Sequence, residues 1–306
     1  VQFILTPDGP LDVRATLARY RNWGEDPANR VDGDVLRRVL RDDGRLVPYE
    51  VRPRGSVDHP RLEIHVPSVR PKRVASAISQ EVHALFGLDF DLVGFYRMAK
   101  TDPVLAGLGE RLYGLRPTLA PTALEMLVGA ICAQQVNLSF AFTLRARLVR
   151  RWGVRAIVGG QPVWAFPEAR ILARARPSAL RGIQFSRSKA SAILGVAHAL
   201  HSGALDPGRL AVATDSEVVE RLTALRGLGR WTAEWFLARC LGRGSVCPAG
   251  DLGVRKAFAY YYGRGRTPSE EAIRRRARVW GPYQNLAIHY LLAGMRLASR
   301  PAGDGT

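Results

Sequence analysis

A chain of 306 residues with 47% hydrophobic side chains is long enough for two domains and apolar enough to bury cores, which excludes a disordered protein. Its 45 Lys+Arg against 27 Asp+Glu leave a net charge of +18, which points to a polyanionic partner, most often nucleic acid. There is no apolar run of roughly 18 residues, and "VQFILTPDGPLDVRATL" lacks a basic start followed by a long apolar core. Neither a membrane span nor a secretory signal is therefore expected, and the chain reads as soluble and cytoplasmic, with the nucleoid as its place in a bacterial cell.

Residues 1–95 read as a small α+β domain. "VQFILT", "GRLVPYEVRP" and "PRLEIHVPS" are short alternating or β-branched runs bounded by Pro, Gly and Asp, and predict strands of an antiparallel sheet. "LDVRATLARY" and "PKRVASAISQEVHALFG" have helical spacing; in the second, Val74, Ile78, Val82 and Leu85 form one apolar stripe. "LDFDLVGFYRMAKTDPVL" is the predicted connection to the next domain.

Residues 96–300 change character. Segments from "TALEMLVGAICAQQVNLSFAFTLRARLVRRWG" to "NLAIHYLLAGMRLAS" carry 3.6-residue periodicity, separated by Gly/Pro turns, with no strand pattern between them. They predict an all-α domain, and "PAGDGT" at 301–306 a flexible tail. The charge is uneven: residues 1–100 hold 16 Lys+Arg against 14 Asp+Glu, whereas residues 221–300 hold 15 against 4. An Arg-rich composition accounts for arginine over lysine but not for the loss of acids from the last third. Three cysteines, Cys132, Cys240 and Cys247, cannot build a disulfide framework or a four-thiolate cluster, and no metal site is expected.

Within the helical part, "LRGLGRWTAEW" joins two helices. Thr214 or Asp215 caps the first, with Glu217 as a capping-box partner of Thr214. Arg226, Gly227, Leu228, Gly229 and Arg230 then turn the chain into the second. Successive N–H groups in such a turn, ahead of a helix N-terminus, suit a phosphate oxygen and grip a backbone without reading sequence. An ordinary helix–helix turn with a glycine cap has the same composition. Trp231 and Trp235, at i and i+4, share one face, either as core aromatics or as a wall for an extruded base.

"PAGDLGVRKAF" follows, with Asp251 twenty positions after Trp231. Together, "LRGLGRWTAEW" and "PAGDLGVRKAF" resemble the hairpin, Gly/Pro-rich loop and aspartate of the helix–hairpin–helix DNA glycosylase superfamily. The upstream order of helices is similar to that of the 3-methyladenine DNA glycosylase II family over about residues 95–295, and the α+β segment fits that family's accessory domain. The resemblance implies a glycosylase acting on double-stranded DNA with alkylated bases, as a monomer and without a cofactor, with room for a monovalent cation where the hairpin meets phosphate. It makes Asp251 the catalytic carboxylate, placed at a helix N-terminus where the dipole suits a negative charge. In bifunctional relatives a lysine occupies the position of Trp231; indole has no nucleophilic amine, so release of a base without strand cleavage is expected. Lys256, five residues after Asp251, is expected on another helix face, towards phosphate or solvent. Leu292, with Ala293, stands where some members carry further aromatics, which implies a more open pocket. Gln135 in "AQQVNLS" matches the residue that fills the gap left by a flipped nucleotide; a polar residue ending a helix would look the same. Excision of oxidised or deaminated purines and a non-catalytic damage binder are the competing readings. A fused methyl-acceptor regulator is disfavoured, because residues 1–95 contain no cysteine.

Overall fold

The computed structural model describes residues 1–67 and 72–298; the tail read at 301–306 lies outside the described residues. The first part comprises β1 (Gln2–Leu5), α1 (Val13–Leu17), α2 (Arg19–Asn22), β2 (Arg30–Asp32), β3 (Val35–Asp42), β4 (Arg45–Gly55), β5 (Pro60–His65) and α3 (Lys72–Phe86). The five strands form an antiparallel sheet in the order β1-β5-β4-β3-β2. The stripe read in α3, Val74, Ile78, Val82 and Leu85, is buried against Leu36, Tyr49, Val51 and Ile64 of the sheet.

Strands β2 and β3 are not among those read from the sequence. In β3, "VLRRVLRD" spaces its apolar residues like a helix, because both faces of the strand are covered and alternation is lost. Leu36 and Leu40 join the core under α3, while Val39 faces a second small core.

The second part begins with α4 (Leu92–Ala99), α5 (Pro103–Arg111), α6 (Ala123–Ala133) and α7 (Leu138–Trp152). A hairpin follows, β6 (Val154–Val158) and β7 (Gln161–Ala165), then α8 (Ala169–Ala173), α9 (Pro177–Arg181), α10 (Arg187–Ser202), α11 (Pro207–Val212), α12 (Asp215–Thr223) and α13 (Arg230–Arg239). The chain closes with α14 (Leu252–Tyr261), α15 (Glu270–Arg278), a 3-10 turn at Gly281–Tyr283 and α16 (Gln284–Ala298). The α+β plus helical fold class stands. The hairpin is an element that the helical reading lacks. Gly159 and Gly160, both with positive φ (55° and 76°), close its two-residue turn. Val158, Val163 and Ala165 pack on Val39 of β3, and a Cβ on Gly159 would lie 2.8 Å from both Arg37 Nε and Glu50 Oε2. The hairpin therefore covers the sheet face that α3 leaves open.

A buried ion network joins the two parts. Arg38 of β3 donates to Glu125 of α6 (2.8 Å) and to Asn29, and forms an ion pair with Glu81 of α3 at 3.5 Å. Arg145 of α7 donates to Glu125 (3.1 Å) and Asp26 (2.6 Å). The Arg38 pKa is raised well above the ordinary arginine value: burial lowers it, but Glu125 and Glu81 outweigh that. The helices themselves form two cores, one around α6, α7, α10, α12 and α13, the other around α4, α5, α14, α15 and α16; Trp235 packs against both.

Glu125 is 4% exposed and serves two arginines. Removing one member of a buried charge network strands the others, at a cost of about 3–5 kcal/mol. Glu125→Gln is therefore expected to lower the unfolding free energy by that order in urea titration, and an unchanged midpoint would remove the network from the account of stability.

Candidate active site and phosphate-binding hairpin

Thr214 caps α12 and forms the capping box with Glu217 that the sequence announces. The chain then turns through 224–229. Leu228 is buried in the core and anchors the turn, while Arg226, Gly227, Gly229 and Arg230 are exposed. The two glycines differ. Gly227 has φ +88°, and a Cβ there would lie 2.8 Å from Ala192 Cβ on α10. Gly229 is the N-cap of α13 with extended backbone (φ −111°, ψ 178°), makes no side-chain cap, and has no atom within 4 Å of its Cβ position. The open space at Gly229 faces the start of α13, whose first N–H groups have no acceptor within the helix. Only Gly227 answers a backbone demand, a difference that the composition of the turn does not reveal.

Arg230 donates to Glu234 (2.9 Å), which also accepts from Arg274 of α15 (2.8 Å). Arg274 reaches the Cys247 carbonyl as well (3.0 Å), tying the 240–250 loop to both helices. Burial pushes the Cys132, Cys240 and Cys247 thiols up to about 12, as packing residues would be.

Asp251 is the N-cap of α14. Its Oδ1 accepts from the Val254 N–H (3.0 Å), and its own N–H donates to the Pro248 carbonyl (3.0 Å). Its Oδ2 accepts from Trp231 Nε1 (2.7 Å) and Trp235 Nε1 (3.1 Å). The sequence places the two indoles on one face; the structure turns their N–H edges onto the carboxylate. One face of Trp235 is also covered, by the Arg239 guanidinium 5.2 Å from its ring centroid. Leu292 lies beside this group: a Cβ on Gly253 would sit 3.0 Å from Asp251 Oδ1 and 3.3 Å from Leu292 Cδ2. Ala293 is buried in the core and takes no part.

Gln135 is exposed with φ +55°, a sparsely populated conformation for a residue other than glycine, and projects from the turn between α6 and α7. Its neighbour Gln134, which the sequence reading passed over, donates to the Gly227 carbonyl (2.9 Å) and lies 3.3 Å from Thr232 Oγ1. Lys189 of α10, largely buried, donates to the Cys132 carbonyl at the end of α6 (2.6 Å). Doubled glutamines at a helix end are the available signal; they do not say which one turns inward. Lys256 is exposed on α14, as read.

A glycine turn leading a helix, and a carboxylate capping the next, placed between two helical cores beside an antiparallel sheet, define a helix–hairpin–helix repair fold. The family model described as HhH-GPD superfamily base excision DNA repair protein matches residues 128–282. A Bacillus subtilis DNA-3-methyladenine glycosylase is 33% identical over 214 residues, 70% of this chain and 71% of that one. The Escherichia coli DNA-3-methyladenine glycosylase 2 is 30% identical over 61% of this chain and 63% of its own. A solved 3-methyladenine DNA-glycosylase from Archaeoglobus fulgidus superposes with a TM-score of 0.86 at 28% identity, over 97% of this chain and 99% of that one. The chain belongs to the HhH-GPD superfamily of base excision DNA repair proteins.

The two hairpin glycines are expected to fail differently. Gly227→Val combines backbone strain of about 1–3 kcal/mol with overpacking of about 1–3 kcal/mol, and should lower the melting temperature. Gly229→Val should fold normally yet weaken binding to damaged and undamaged duplexes alike, with a shallower salt dependence. Calorimetry and binding titrations at several salt concentrations check this, and normal binding by folded Gly229→Val would remove the phosphate site from the hairpin.

Proposed function

We propose that this chain is a monofunctional DNA glycosylase that extrudes alkylated bases of the 3-methyladenine type from double-stranded DNA and hydrolyses their N-glycosidic bond, leaving an abasic site. The observation that carries the reading is the Asp251 carboxylate, oriented by three N–H donors at the meeting of two helices. The names of the relatives supply the base class.

As the bond from C1′ to the base nitrogen lengthens, positive charge builds on the sugar. A fixed carboxylate stabilises that charge and orients the incoming water. The indoles occupy both lone pairs of Oδ2 and the Val254 N–H one of Oδ1, which leaves one lone pair of Oδ1 free for this work. Strand cleavage through a Schiff base needs an amine, and Trp231 offers none. The exposed hairpin and the first turn of α13 receive a backbone phosphate, where a monovalent cation can share the contact. Gln135 enters the gap left in the duplex, Leu292 borders the base, and a single copy suffices.

Asp251→Asn is expected to lose roughly 10² to 10⁴ in the rate of base release while retaining DNA binding. Wild-type turnover by that variant would overturn the assignment. Trp231→Phe keeps a ring but removes one charge-assisted hydrogen bond, about 1.5–3 kcal/mol, and should slow single-turnover release with little effect on affinity. Borohydride should trap no covalent protein–DNA adduct; an SDS-stable adduct at the yield of a bifunctional enzyme would contradict the monofunctional assignment.

A further inference from the structure

Helix α14 begins Leu252, Gly253, Val254, and the three positions point three ways. Leu252 is 65% exposed, Val254 is buried in the core, and position 253 faces Asp251 and Leu292. Glycine is the poorest helix former after proline. No backbone demand explains it here, because Gly253 is helical and its φ is not positive. Two other helical glycines have packing reasons. A Cβ on Gly94 would lie 2.0 Å from the Tyr283 hydroxyl, and one on Gly294 would lie 2.3 Å from Leu108 Cδ2, so each lets a neighbouring element approach.

Gly253 has no such neighbour. Among the described residues, the atoms nearest to a Cβ there, outside its chain neighbours and its own helix backbone, are Asp251 Oδ1 at 3.0 Å and Leu292 Cδ2 at 3.3 Å. Both contacts are tighter than ordinary packing, so a methyl group would fit only if they gave by a few tenths of an ångström. Neither is free to do so. Asp251 is held by Trp231, Trp235 and the Val254 N–H, and Leu292 sits between the buried Leu291 and Ala293. The missing side chain therefore leaves a gap between the carboxylate and the wall of the site. That gap lies against Oδ1, the oxygen that keeps a lone pair free.

We propose that Gly253 is a positioning residue that keeps open the approach of the extruded nucleotide's deoxyribose to Asp251 Oδ1. This inference rests on the glycosylase reading. Positive charge building at C1′ is stabilised more strongly the nearer the carboxylate stands. A misplacement of about 1 Å in such a geometry costs on the order of 100-fold in rate. A methyl group at position 253 would crowd Oδ1 and hold the sugar away from it. The sugar is common to every lesion, whereas the base differs. Gly253 therefore governs the chemical step for all lesions alike, and leaves the choice among them to the groups that touch the base.

Single-turnover release of 3-methyladenine and 7-methylguanine from methylated duplex DNA is measured for the wild type, Gly253→Ala, Gly253→Ser and Gly195→Ala, together with duplex affinity and melting temperature. Gly195 lies within α10 with no atom within 4 Å of its Cβ position, and controls for the helix propensity gained. Gly253→Ala should keep the affinity and melting temperature of the wild type but release both bases roughly 10- to 100-fold more slowly, by a common factor. Gly195→Ala should release both at the wild-type rate. In Gly253→Ser the hydroxyl can donate to Oδ1, which relieves the crowding but takes the free lone pair. Release should therefore stay slow in a fully folded protein, and this variant decides the matter should Gly253→Ala melt early. Wild-type rates in either Gly253 variant would overturn the proposal. So would a loss confined to one base, which would make the gap part of the base pocket, or a loss matched by weaker binding, which would make it a DNA contact. Release of neither base by the wild type would instead defeat the glycosylase reading itself.

Discussion

Two indole N–H groups, four residues apart on α13, converge on one oxygen of Asp251, while the first turn of α14 holds the other. That convergence requires α13 and α14 to keep a constant mutual position, although they belong to different helical cores. Trp235 meets the requirement by packing on both cores. Glu234 supports it from the opposite side, where Arg274 links α13 to α15 and to the Cys247 carbonyl. The loop between the helices is thus held at both ends, and the carboxylate is set by the same packing that closes the fold.

Much of this frame is written in local chemistry. The capping box at Thr214, the glycine turn and the capping aspartate are short-range devices, and each residue type states its own purpose. What escapes such a reading depends on distant partners. Strand β3 loses its alternation because the β6–β7 hairpin covers its second face, a fact held some 120 residues downstream. The Gly159–Gly160 pair did carry a turn signal, overshadowed by the helical pattern on either side. The tryptophans share a face by simple arithmetic, yet periodicity cannot tell whether an indole offers its ring or its edge. Arg239 looks like an ordinary member of an arginine-rich chain; only the arrangement of α13 against α16, which brings it to Asn285 and His289, sets it apart.

The excess positive charge has two structural settings. Where carboxylates are available, arginines are paired and buried, as with Arg38 and Arg145 around Glu125 and Asp26. These pairs weld the sheet to α6 and α7 and leave little net field. In the last third, where acids are scarce, Arg226 and Arg230 stay exposed at the hairpin, and neither Arg239 nor Arg296 forms an ion pair with a carboxylate among the described residues. The two settings divide the work: neutralised cations shape the body, and unneutralised ones provide the field that a polyanion meets.

The bond from Gln134 to the Gly227 carbonyl ties the turn that bears Gln135 to the hairpin. With Leu228 anchored in the core and Lys189 holding the end of α6, the span between these two loops is a constant of the protein. If the hairpin grips a phosphate and Gln135 enters the duplex, the protein acts as a fixed calliper, and the bending needed to fill it falls on the DNA. Elastic compliance of the duplex then enters recognition. A lesion at a pyrimidine–purine step, where stacking yields easily, is engaged at less deformation energy than the same lesion within a stiff A-tract.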